Sequence, residues 1–202
     1  MNDDDSDEFT IHIARYRPEE IHKLASKTKF TKKEIQLMYR GFKQECPTGM
    51  VDEESFKHIF SQFFPLGDAT NYAHYVFNTM KQKQTGKISF EDFLNILSKV
   101  SRGSIQEKLQ WVFGLYDLNG DGLISKSEMI DVVTSIYEML GNVSSRATQP
   151  AVEDNSAKDH VERIFHLIDT NKDGVITIEE LINWVSRDER FLKSLETLDT
   201  VL

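Results

Sequence analysis

A single cysteine, Cys46, stands among 202 residues. No disulfide can close within the chain, and the composition fits a reducing compartment. No apolar run approaches the ~20 residues that a helix needs to cross a bilayer. The N-terminus has neither an apolar signal core nor a small-residue cleavage site, so a soluble intracellular protein is expected. Positive charge is scarce: 24 Lys and Arg stand against 33 Asp and Glu, a net charge of −9. Such a surface repels phosphates and disfavours generic nucleic-acid binding. The six histidines (His12, His22, His58, His74, His160 and His166) lack metal-ligand spacing, and no nucleophile motif occurs, so nothing supports an enzyme. Cys46 reads as a small buried apolar residue in preference to a redox sensor.

What is present suits a folded chain. Hydrophobic residues make up 39% and charged residues 28%, above the range of disordered segments. The length allows one large domain or two small lobes. The charge is uneven. Residues 3–8 hold Asp3, Asp4, Asp5, Asp7 and Glu8. Sign then reverses with Arg15, Arg17, Lys23, Lys27, Lys29, Lys32, Lys33, Arg40 and Lys43 against Glu19, Glu20 and Glu34. This basic stretch reads either as a solvated helix face or as a site for acidic headgroups or an acidic partner.

One unit recurs four times: an amphipathic helix, a 12-residue loop with glycine at position 6 and a β-branched residue at position 8, and a second amphipathic helix. The glycines are Gly49, Gly86, Gly122 and Gly174, at steps of 37, 36 and 52 residues; the β-branched residues are Val51, Ile88, Ile124 and Ile176. The flanks carry apolar residues at 3–4 spacing, for example Ile35, Met38, Tyr39 and Phe42, then Phe56, Ile59, Phe60 and Phe63. Thr31 with Glu34, Ser125 with Glu128 and Thr177 with Glu180 read as capping boxes. Pro18 suits the first turn of a helix. Residues 141–157 are expected to be a flexible loop and residues 1–10 to be disordered.

The third loop runs from Asp117 to Glu128. It offers Asp117, Asn119 and Asp121 at positions 1, 3 and 5, the Leu123 carbonyl at position 7, Ser125 at position 9 and Glu128 at position 12. Six to eight hard oxygens are what Ca²⁺ takes, and glycine at position 6 permits the sharp turn. The fourth loop repeats the set with Asp169, Asn171, Asp173, Val175, Thr177 and Glu180. Two such loops between amphipathic helices are EF-hand signatures and predict two Ca²⁺ sites. The second loop, Lys81 to Asp92, places Lys81 and Lys83 where oxygens belong, and a lysine only donates. The first, Gln44 to Ser55, has no carboxylate at positions 1, 3 or 5, and Ser55 replaces the closing Glu. Neither is expected to bind metal. The fold expected is all-α: four EF-hands in two paired lobes of the calmodulin or recoverin kind. Short β-bridges pair Val51 with Ile88 and Ile124 with Ile176. The boundaries are a variable segment over 1–16, an N-terminal lobe over 17–100 and a C-terminal lobe with a C-terminal helix over 101–202.

Further residues resemble a known family. Cys46-Pro47-Thr48-Gly49 in a degenerate first hand resembles the neuronal calcium sensors. Tyr39-Arg40-Gly41-Phe42-Lys43, Gln62-Phe63-Phe64-Pro65, Gly67-Asp68-Ala69, Tyr72-Ala73-His74-Tyr75, Gln84-Thr85-Gly86 and Phe90-Glu91-Asp92-Phe93 are similar to the Kv-channel-interacting branch. The resemblance covers roughly residues 17–202. It implies an auxiliary subunit that clamps the cytoplasmic N-terminal helix of Shal-type A-type potassium channels, promotes their surface expression and slows inactivation. The protein would be cytoplasmic, at the plasma membrane through that partner. Lys81 departs from the Asp usual in the family's second loop, so any Mg²⁺ site there is lost.

Phe60, Phe63, Phe64, Tyr75, Phe77, Phe93 and Leu97 are the candidate walls of an open groove for such a helix, with plain core packing as the alternative. Phe191, Leu192, Leu195, Leu198 and Leu202 give the C-terminal segment one apolar face, expected to cover its own hand or to plug the groove. Asn2 follows the initiator Met where N-myristoylation needs glycine, so no lipid anchor is expected on this chain. A free homo-oligomer and a channel-bound tetramer are both open. A DNA-binding transcriptional repressor, nuclear in place of membrane-bound, and a calcium sensor with another helical target are the alternative functions.

Overall fold

The structure is a computed structural model that describes residues 18–141 and 153–187. The expected N-terminal tail, most of the expected loop over 141–157 and the expected C-terminal helix lie outside the described residues. Two helix–loop–helix units form the first half: α1 (Pro18–Lys27) leads into α2 (Lys32–Glu45), β1 (Met50–Val51) and α3 (Glu53–Ser61), then α4 (Thr70–Met80), β2 (Ile88–Ser89) and α5 (Phe90–Arg102). The second half repeats the plan with α6 (Ile105–Tyr116), β3 (Ile124–Ser125), α7 (Lys126–Met139), α8 (Glu153–Ile168), β4 (Val175–Ile176) and α9 (Ile178–Arg187).

Helix starts follow local chemistry. α1 opens on Pro18, whose fixed φ suits a first turn. At α2 the Glu34 N–H donates to Thr31 Oγ1, and the Thr31 N–H donates back to Glu34 Oε2 at 2.7 Å. The same reciprocal box starts α5 with Ser89 and Asp92, α6 with Ser104 and Glu107, and α7 with Ser125 and Glu128. Each satisfies two N–H groups that the helix itself leaves unpaired.

The loops pair as their β-branched residues require. β1 and β2 run antiparallel with Val51 opposite Ile88, and β3 and β4 with Ile124 opposite Ile176. The position-8 side chains project inward and are fully buried at Ile88, Ile124 and Ile176. Around them the C-terminal half packs Leu109, Phe113, Met129, Val161, Phe165 and Val185 into one core. The N-terminal half has two adjoining cores, one about Leu24, Ile35, Phe90 and Leu94 and one about Cys46, Val51, Phe77 and Ile88. Among the described residues the strands are limited to these two short bridges, so the fold is all-α, as expected.

Two expectations change. Phe63 does not extend the apolar stripe of α3: that helix ends at Ser61, and Phe63 is 73% exposed in the turn beyond it. α8 begins at Glu153, so the helix claims the last part of the stretch expected to be a flexible loop.

The halves meet through backbone as well as side chains. The Asp68 N–H donates to the Glu138 carbonyl at 3.0 Å, and Asn71 Nδ2 donates to Glu138 Oε2 at 3.0 Å. A Cβ on Gly67 would fall 2.2 Å from the Glu138 carbonyl oxygen and 2.4 Å from that of Met139. Those atoms belong to a helix end and cannot swing aside. Gly67→Ala should therefore cost about 1–3 kcal/mol in chemical denaturation. Gly41 in α2 has nothing within 4 Å of such a Cβ, so Gly41→Ala should gain about 0.5–1 kcal/mol.

Candidate metal centre

The third loop begins where α6 stops. The Asp117 N–H closes the last turn of that helix onto the Phe113 carbonyl, which turns the Asp117 side chain into the loop. Asp117 Oδ1 accepts from the Gly120 and Asp121 N–H groups at 2.9 and 3.1 Å, and Oδ2 from the Gly122 N–H at 2.9 Å. Asn119 Oδ1 accepts from the Asp121 N–H at 2.8 Å, and Asp121 Oδ1 from the Leu123 N–H at 2.8 Å. Gly122 holds φ at +85°, which any Cβ would strain.

Glu128 closes the loop. It lies in the first turn of α7 and is buried. Oε2 accepts from the Ser125 N–H and hydroxyl at 2.8 and 2.7 Å, while Oε1 accepts from the N–H groups of Leu118 and Asn119 at 3.1 and 3.2 Å. Burial pushes the Glu128 carboxyl up. The Ser125 hydroxyl and the N–H groups of Ser125 and Asn119 outweigh that push, and the net shift is downward. Glu128 is thus ionised at neutral pH, and its contribution to stability is present above the ordinary carboxylate value and is lost as pH falls through the lowered one.

The fourth loop repeats most of this set, the Gly120 N–H bond at position 4 apart. Asp169 accepts from the Asp173 and Gly174 N–H groups at 3.2 and 3.1 Å. Asn171 accepts from Asp173 N–H at 2.9 Å, and Asp173 from Val175 N–H at 3.1 Å. Glu180 joins the Thr170 N–H to the Thr177 N–H and hydroxyl, and the Thr177 N–H leads the contacts that hold its carboxyl below the usual range. Among the described residues no three His, Cys, Asp or Glu side chains converge as a ready metal cluster. N–H groups hold each carboxylate in place, and each loop mixes two Asp and one Glu with an amide, a hydroxyl and a backbone carbonyl. All are hard oxygens, the set that suits Ca²⁺.

The other two loops have the same turn and different chemistry. Gly49 and Gly86 sit at φ +79° and +64°. In the second loop Gln82 Nε2 donates to Asp92 Oδ2 at 2.7 Å, so an amide donor faces the carboxylate at its closing position. In the first loop Lys43 Nζ donates to the Pro47 carbonyl at 2.7 Å, placing a cation against the loop backbone. Cys46 is buried there, and burial, then the charges of Glu45 and Asp52, push its thiol up and keep it protonated.

The candidate groove residues divide. Phe60 stacks into a run with Phe56, Phe64 and Tyr72, at ring distances of 5.2 to 6.0 Å. Phe93 leans on Phe42, and both it and Leu97 are half-buried. Tyr75 is half-buried on α4. Phe77 is not a groove wall: at 1% exposure it fills the core with Cys46, Val51 and Ile88. It comes one residue after Val76 on the inward face of α4, which is also buried. An apolar cavity that the sequence did not signal lies in the C-terminal half. It measures about 290 Å³ and is lined by Val112, Met129, Ile136, Val161, Ile164 and Trp184 among others. These apolar side chains read as plain core in the sequence, and only the helix packing reveals that they leave space.

Position 4 separates the two matching loops. Gly120 holds φ at +75° in the third, whereas Lys172 holds +62° in the fourth, a left-handed conformation that costs a side chain about 1–2 kcal/mol. Glycine's greater freedom in the unfolded chain returns about 0.5–1 kcal/mol of that. Lys172→Gly should thus raise stability by about 0.5 kcal/mol in thermal denaturation while leaving every ligand oxygen in place.

The geometry and the family comparison coincide in this half of the chain. Residues 106–186 match the model of the EF-hand domain pair, which spans α6 through nearly all of α9 and includes both oxygen-lined loops. This span is an EF-hand domain pair.

Proposed function

We propose that this protein is a calcium sensor with two Ca²⁺ sites, at Asp117–Glu128 and Asp169–Glu180, and two hands that serve only as structure. One observation carries the reading: in both loops the N–H groups of positions 5, 6 and 7 hold the Asp, Asn and Asp oxygens, and a closing Glu joins loop start to helix start. Ca²⁺ supplies the charge that could draw these carboxylates together. The chain supplies Asp117, Asn119, Asp121, Leu123, Ser125 and Glu128 in one loop and Asp169, Asn171, Asp173, Val175, Thr177 and Glu180 in the other.

The finer reading is an auxiliary subunit that holds the cytoplasmic N-terminal helix of a Shal-type potassium channel. Its support is the sequence resemblance, together with half-buried aromatics on α3, α4 and α5 and the apolar cavity beneath α6 and α8. Such surfaces suit the apolar face of an amphipathic helix. A DNA-binding role has little in its favour at a net charge of −9.

Calorimetric titration should give two Ca²⁺ per chain. Glu128→Gln and Glu180→Gln should each remove one site, weakening it at least about ten-fold, since each loses its closing anionic ligand. Three or four sites, or none, would contradict the assignment. The fourth loop carries four acids against Lys172 and the third carries three against Lys126, so the fourth should bind more tightly. A pull-down with the channel's N-terminal peptide tests the partner separately. Retention in Ca²⁺ supports the channel reading, and its absence in a protein that still binds two Ca²⁺ refutes the partner and leaves the sensor.

A further inference from the structure

We propose that the outer face of α2 docks on an anionic lipid bilayer, independently of the calcium loops. Residues 18–45 carry a net charge of +3 in a chain whose total is −9. Ion pairs consume part of that excess: Lys27 binds Glu91 at 2.9 Å and Lys29 lies 3.4 Å from Glu107. The acid of α2's first turn is also consumed. Arg102 binds Glu34 at 2.6 Å and holds its carboxyl near 2.

What remains outward on α2 is a stripe without an acid. Lys33, Leu37, Arg40 and Gln44 follow at helical spacing, with Gln36 and Gly41 beside them, and all are exposed. Among the described residues neither Lys33 nor Arg40 has an ion pair. Lys32 adjoins the stripe and reaches His22 on α1 at 3.1 Å. The remaining acids of residues 18–45 are Glu19 and Glu20 on α1 and Glu45 at the far end of α2. Leu37 is 70% exposed at the middle of the stripe, flanked one turn away on each side by a cation. Gly41 adds no side chain, so the face is low around Leu37.

An apolar side chain ringed by cations on a flat helix face fits a bilayer interface, where lysine and arginine meet phosphate and the leucine enters the acyl boundary. An acidic protein surface would use the cations and leave Leu37 without purpose.

The experiment is co-sedimentation of the whole protein with vesicles in chelator. One set is phosphatidylcholine alone and the other adds phosphatidylserine, an anionic lipid of the cytoplasmic leaflet. The wild type should bind only the anionic set and release as salt rises. Lys33→Gln with Arg40→Gln should lower partitioning by about 30-fold, and Leu37→Ser by about five-fold. Circular dichroism should report an unchanged fold for each, since every replaced side chain is exposed. Equal binding to both vesicles, no binding to either, or full binding by the double variant would overturn the proposal. Retention on poly-glutamate resin by a protein that ignores vesicles would reassign the face to an acidic partner.

Discussion

In each half of the EF-hand pair, one carboxylate holds a loop to a helix. Glu128 accepts from Ser125 at the start of α7 with one oxygen and from Leu118 and Asn119 at the start of the loop with the other. Glu180 does the same between Thr177 and Thr170. A group that spans ten residues of chain in this way makes the loop's shape and the helix's direction one quantity. The loops then pair through Ile124 and Ile176, and that pairing sets the core between four helices. Any cation attracted to these oxygens acts on the helices through the same two side chains.

The N-terminal half keeps the architecture and replaces the electrostatics. Its glycines have the same left-handed turn and its bridge pairs Val51 with Ile88. Where the C-terminal loops present carboxylates, the first loop has Lys43 on a carbonyl and the second has Gln82 on Asp92. Internal donors thus do structurally what a metal would do electrostatically. Gly67 and Gly141 let the two halves meet backbone to backbone, so a shift at the end of α7 would be felt in the turn that precedes α4.

Much of this was legible in the sequence because it rests on short-range rules. Position 6 needed glycine, position 8 needed a β-branched residue, and both bridges paired as those positions require. Thr31–Glu34 and Ser125–Glu128 were boxes three residues apart, and both formed. What escaped depends on distance in three dimensions. Arg102 is 68 residues from Glu34, and no pattern couples them. Phe77 and Phe60 look alike in sequence, yet α4 turns Phe77 into the core while Phe60 stays half-buried. The cavity in the C-terminal half is lined by side chains of α6, α7, α8 and α9, and how four helices pack is not encoded in apolar periodicity.

Two of the four similar loops are assigned to calcium, and backbone amide NMR reads all four at once. Each loop has a glycine N–H at position 6: Gly49, Gly86, Gly122 and Gly174. Those of Gly122 and Gly174 donate to Asp117 and Asp169, first ligands of the proposed sites. On titration with Ca²⁺ the Gly122 and Gly174 resonances should shift and saturate at two equivalents, while Gly49 and Gly86 show no binding of their own. Saturating shifts at Gly49 or Gly86 that need further equivalents, or silence at Gly122 and Gly174, would contradict the account.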